Sequence, residues 1–99
     1  MNECTPAPWA WLEIPAPHQR DFADAGLWDQ RTLADMAIAL AAEDPGFVAF
    51  VDGDVQMTRA EVLADAQALS AALHARGLKP GDVVAFQVPN WREAAVINL

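Results

Sequence analysis

The side chains able to do chemistry are few in this chain, and their spacing gives them little to do together. There is one cysteine (Cys4), one serine (Ser70) and two histidines (His18 and His74). A lone cysteine forms no internal disulfide, and no Cys/His cluster is spaced to hold zinc. Cys4 stands in a proline-rich tail, the place of a bystander thiol rather than a nucleophile. His74 falls in the last turn of a predicted helix, where a basic group complements the helix dipole, and it is read there without a serine or cysteine partner. Ser70, set mid-helix among leucine and alanine, reads as a small packing residue. Asp52 and Asp54 flank Gly53. Two carboxylates this close invite a cation, but the loop lacks the further ligands of a calcium site, so they read as turn residues. Gly77-Leu78-Lys79-Pro80-Gly81 has the glycines and lysine of a phosphate loop but links a helix to a strand, whereas phosphate loops run from strand to helix. No Walker or dinucleotide glycine motif occurs. Trp91 follows Pro89 and Asn90 at the end of a predicted strand, where open α/β sheets bind ligands. It is the one position that hints at function, with packing as its competing role. No catalytic, cofactor-binding or metal-binding residue is assigned.

The elements that would position these residues are easier to read. Residues 1–30 form an arm. Pro6, Pro8, Pro15 and Pro17 favour an extended course, and Trp9, Trp11, Leu12 and Ile14 give it apolar teeth suited to lying across a larger body. A short helix is expected over residues 18–25, with Phe22 facing inward and Gly26 as its left-handed stop. Residues 31–99 hold the regular structure. Thr32 and Asp35 open a helix with a shortened capping box, and Leu33, Met36, Ala37 and Leu40 repeat at helical spacing. Asp44-Pro45-Gly46 ends it, because proline turns its predecessor away from helical angles. Residues 47–51 are β-branched and aromatic. Asp52-Gly53 is a strong hairpin signal, and residues 55–57 return. Thr58 and Glu61 box the next helix, whose stripe is Val62, Ala66, Leu69 and Leu73, broadened by Leu63. Gly77 and Leu78 supply its stop, and Lys79-Pro80-Gly81-Asp82 suits a type II turn. Residues 83–88 are apolar almost throughout, which predicts a strand buried on both faces. Asn90, with Glu93, is expected to cap a last helix.

Composition narrows the function classes. The chain has 99 residues, enough for one small domain. Fourteen acidic side chains against six basic give a net charge of −8. Such a surface repels nucleic-acid phosphates and anionic membranes. No 18-residue apolar segment exists to span a bilayer, and the start, M-N-E-C-T-P-A-P, is not a secretory signal. A cytoplasmic location is the expectation. The 54% apolar content is high for so short a chain and points to surfaces that something else covers.

Four stretches carry a resemblance: T-L-A-D-M (32–36), F-V-A-F-V-D-G-D (47–54), M-T-R-A-E-V (57–62) and A-L-H-A-R-G-L-K-P-G-D-V-V-A-F-Q-V-P-N-W (72–91). They resemble the N-terminal region of AMP-dependent synthetases and ligases, the adenylate-forming enzymes. A-G-L-W-D (25–29) and V-A-F-Q-V-P-N-W (84–91) are most similar to the branch containing cyclohexanecarboxylate-CoA and dihydroxybenzoate-AMP ligases. The family's first core motif, usually L-T-Y-x-E-L, stands here as residues 57–62. Thr58 and Glu61 are kept, and Arg59 takes the tyrosine position.

The resemblance implies an α/β fold: arm, helix, β-hairpin, helix, buried strand and the start of a helix, the incomplete first part of a large-domain sheet. It implies an intact enzyme that uses ATP and magnesium to join a small carboxylic acid to AMP, then passes the acyl group to coenzyme A or a carrier thiol. In such enzymes the phosphate loop, the adenine- and ribose-binding stretch and the hinge lysine lie further along the chain. This segment is therefore expected to hold no cofactor, to be structural and inactive alone, and to have the rest of the domain as its partner. The alternative is a small acidic interaction module such as a carrier protein. That reading needs a phosphopantetheine serine at a helix start, and a helical bundle rather than a hairpin.

Overall fold

The structure is a computed structural model, and it describes residues 15–99. The expected course of residues 1–14, with Cys4, Trp9 and Trp11, lies outside the described residues. The chain divides into two compact units, Met1–Gln30 with Lys79–Val83, and Arg31–Leu78 with Val84–Leu99.

In the first unit, α1 spans Ala16–Asp24. It begins two residues earlier than the sequence reading placed it, because Pro17 sits in the first turn, where its missing N–H costs nothing. Gly26 adopts φ +71°. The turn brings the backbone N–H groups of Leu27 and Trp28 onto the Phe22 carbonyl, at 2.9 and 3.2 Å. Phe22 then meets Trp28 with ring centroids 5.2 Å apart. Lys79–Asp82 closes as predicted: the Asp82 N–H donates to the Lys79 carbonyl at 3.0 Å, with Gly81 at φ +95°. The Asp82 carboxylate also accepts from the Lys79 N–H at 2.8 Å.

The second unit holds the hairpin and three helices. Helix α2 spans Leu33–Glu43. Thr32 and Asp35 form the reciprocal box, with the Asp35 N–H donating to Thr32 Oγ1 at 3.1 Å and the Thr32 N–H to Asp35 Oδ2 at 2.8 Å. The bond from the Thr32 backbone, then that from its hydroxyl, holds the Asp35 carboxyl below the ordinary aspartate value. The face that packs shares only Ala37 with the expected stripe. Ala34, Ala37 and Ala41 turn inward, whereas Leu33 and Leu40 are exposed. Helix α3 packs on α2, and a face of small alanine side chains admits a close neighbour that a row of leucines would hold off.

Strands β1 (Val48–Asp52) and β2 (Val55–Thr58) form an antiparallel pair. Gly53 and Asp54 make the two-residue turn. Only the glycine has positive φ, at +58°, the pattern of a type II′ turn with glycine at its first central position. The register slips between Val48 and Phe50, leaving Ala49 as the extra residue of a bulge.

Helix α3 spans Arg59–Ala75 and starts on the second capping box. The Thr58 N–H donates to Glu61 Oε2 at 2.8 Å, and the Glu61 N–H to Thr58 Oγ1 at 3.2 Å. Val62 is buried, and Leu63, Ala66, Leu69 and Leu73 are half-buried, which is the predicted stripe. The helix stops on Gly77 at φ +93°, with the Leu78 N–H on the Leu73 carbonyl and the Gly77 N–H on the His74 carbonyl. Those are the paired bonds of a Schellman motif.

Two further expectations are corrected. Residues 83–88 form no strand and are not buried: Val83 is 62% exposed, Val84 47% and Phe86 45%. A strand needs a ladder partner for its backbone groups. Among the described residues the sheet contains only β1 and β2, which pair with each other. Helix α4 spans Arg92–Asn98, but Asn90 does not cap it. Its N-cap is Trp91, which makes no side-chain cap bond. Among the described residues the buried apolar side chains are Ala41, Met57 and Val62.

Candidate functional site

The hairpin tip is where a sequence-picked residue meets a distant element. Asp52 ends β1, and its Oδ2 accepts the Arg92 backbone N–H at 3.0 Å, forty positions along the chain. A carboxylate there satisfies one of the orphan donors of a helix start. It thereby takes over the role expected of Asn90. Asp54, across the turn, is exposed. The two aspartates do different work, and no group of three or more His, Cys, Asp or Glu side chains is placed to hold a metal ion among the described residues.

Beside this junction an open cleft of about 530 Å³ runs between β2, α3 and α4. Met57, Leu69, Val96 and Ile97 give it apolar walls, and Asp65, Arg92 and Glu93 stand at its rim. Arg92 Nε lies 3.4 Å from Glu93 Oε1. Both side chains are about half exposed, so the pair is solvated and weak.

The remaining candidates do not converge on a reactive group. His18 lies on α1 and is exposed. His74 occupies the last turn of α3 as predicted. Ser70 is exposed and faces a groove shared with Leu63, Gln67 and Leu99, so its packing is partial. His74 does have a serine near it, contrary to the sequence reading, since Ser70 stands one helical turn earlier on α3. Both are exposed, and no hydrogen bond joins them. A nucleophilic pair needs such a bond and a third group orienting the imidazole. Trp91 is 51% exposed at the start of α4. The loop with Gly77 and Gly81 is a helix stop followed by a turn.

Arg59 is the residue that sequence reasoning undervalued. It stands where a tyrosine was expected, half-buried at the first position of α3. Its guanidinium lies 4.3 Å from the centroid of the Phe47 ring. Its Nη1 donates to the Leu40 carbonyl at 3.1 Å. That carbonyl is in the last turn of α2, which has no basic residue of its own, so Arg59 brings a cation to that negative end. The Arg59 N–H also bonds the Phe47 carbonyl at 2.9 Å, and the Ala60 N–H the Pro45 carbonyl at 3.2 Å. The start of α3 is thus clamped to the segment that follows α2. The chemistry of this arrangement is structural: it fixes two helix ends and a strand entry.

The family of AMP-binding enzymes matches residues 39–99. Over 94 residues the chain is 31% identical to the 2-hydroxy-7-methoxy-5-methyl-1-naphthoate–CoA ligase of Streptomyces carzinostaticus, covering 95% of this chain and 17% of that protein. It is 36% identical over 76 residues to pyochelin synthase PchD of Pseudomonas aeruginosa, covering 77% of this chain and 14% of that one. Against the medium-chain fatty-acid–CoA ligase of Escherichia coli it is 34% identical over 79 residues, covering 79% and 14%. The chain therefore spans between 14% and 17% of the length of these curated relatives. No solved structure matches it significantly. With the match extending from the end of α2 through both strands, α3 and α4, the chain belongs to the AMP-binding enzyme family.

Proposed function

We propose that this chain is the N-terminal scaffold of an ATP-dependent carboxylic acid–thiol ligase, structural in role and inactive by itself. The observation that carries the reading is the family match across the hairpin and its flanking helices. In the intact enzyme a carboxylic acid attacks ATP to give an acyl-adenylate and pyrophosphate, and a thiol then displaces AMP to give a thioester. The acid is cyclic, aromatic or medium-chain. Relatives named for a naphthoate and for medium-chain fatty acids support that range. Coenzyme A or a carrier thiol accepts the acyl group, and the site of action is the cytoplasm.

On this reading ATP, magnesium and coenzyme A are held by later parts of the domain. Arg59 and Arg92, which could meet phosphate, are already turned to the Leu40 carbonyl and to Glu93. The glycines at 77 and 81 serve a helix stop and a turn. No step of the chemistry is therefore routed through these side chains. Their part is to start the large domain: residues 1–30 as an arm, residues 31–99 as the opening of the domain, with 83–88 completing a strand once neighbours flank it. The rest of the domain is the partner.

A carrier-like module finds less support. Ser70 lies inside α3 rather than at a helix start, and a β-hairpin has no place in a helical bundle.

The test is ATP–pyrophosphate exchange. The polypeptide encoded by the complete reading frame around this segment is assayed with benzoate, cyclohexanecarboxylate and octanoate, beside the 99-residue chain alone. Acid-dependent exchange is expected from the former and none from the latter. Exchange by the short chain, or none from the longer polypeptide with any acid, overturns the proposal.

A further inference from the structure

We draw no further inference here: the strongest candidate, the open cleft between β2, α3 and α4 walled by Met57, Leu69, Val96 and Ile97, is an unpartnered apolar face and nothing in the structure shows what covers it.

Discussion

Replacing Arg59 with alanine removes three interactions at once, and their sizes set the expected effect. The guanidinium over the Phe47 ring at 4.3 Å is worth about 0.5–1 kcal/mol at an incompletely buried site. The bond to the Leu40 carbonyl at 3.1 Å adds about 0.5–1.5 kcal/mol after its exchange for water. The cation at the end of α2 contributes about 0.3–1 kcal/mol. These terms share one side chain and do not add fully, so a loss of about 1.5 kcal/mol is expected. That loss falls on the end of α2 and the segment that follows it, where the Asp44 N–H bonds the Leu40 carbonyl and the Phe47 N–H bonds the Asp44 carbonyl. Amide hydrogen exchange at Asp44 and Phe47 should therefore quicken roughly tenfold, since about 1.4 kcal/mol is a factor of ten in an opening equilibrium. Arg59→Lys keeps the charge but not the flat, stacked fork, and should fall between. Pairing Arg59→Ala with Phe47→Leu in a double-mutant cycle should return a coupling of about 0.5–1 kcal/mol. Unchanged exchange at both amides in Arg59→Ala would refute the clamp.

Three further outcomes follow from the same geometry. The Asp35 carboxyl is held below its ordinary value, so its contribution to α2 is complete above the unfolded aspartate pKa. It is lost as pH falls through the lower folded value. Far-ultraviolet circular dichroism should show helix loss in that acid window, and the part due to this box should vanish in Asp35→Asn. Gly77→Ala meets no atom within 4 Å but must hold φ +93°, so chemical denaturation should register a cost of about 1–2 kcal/mol from backbone strain alone. Asp52→Ala should speed exchange of the Arg92 amide several-fold, whereas Asp54→Ala, at an exposed turn position, should leave it unchanged.

What the sequence disclosed and what it hid divide by distance along the chain. Both capping boxes were legible because Thr32 with Asp35, and Thr58 with Glu61, are three residues apart and interact within one turn. The stops at Gly26 and Gly77 and the Gly53 turn were legible for the same reason, because positive φ is a local demand that glycine meets cheaply. The face of α2 was not. Spacing marked Leu33, Met36, Ala37 and Leu40; of these only Ala37 packs, and the approach of α3 selects Ala34 and Ala41 beside it. Asp52 capping α4, and Arg59 reaching Leu40, join residues forty and nineteen positions apart, which no local pattern encodes. Residues 83–88 show the limit most clearly. Their composition states a preference for a covered strand, but a ladder takes two partners, and none pairs with them among the described residues. The absence of an assigned catalytic residue was a reading of motif spacing. The structure adds that Ser70 and His74, one turn apart, are not joined.

In the proposed reading these elements serve as scaffold, with apolar faces that other protein must cover. Equilibrium urea unfolding of the 99-residue chain, followed together by tryptophan fluorescence, circular dichroism and sedimentation, tests it most directly. With only Ala41, Met57 and Val62 buried among apolar side chains of the described residues, the transition should be shallow, with a slope below about 1 kcal/mol per molar urea. Midpoints should depend on the probe, and self-association should grow with concentration. A single steep transition, coincident by every probe and monomeric throughout, would contradict it.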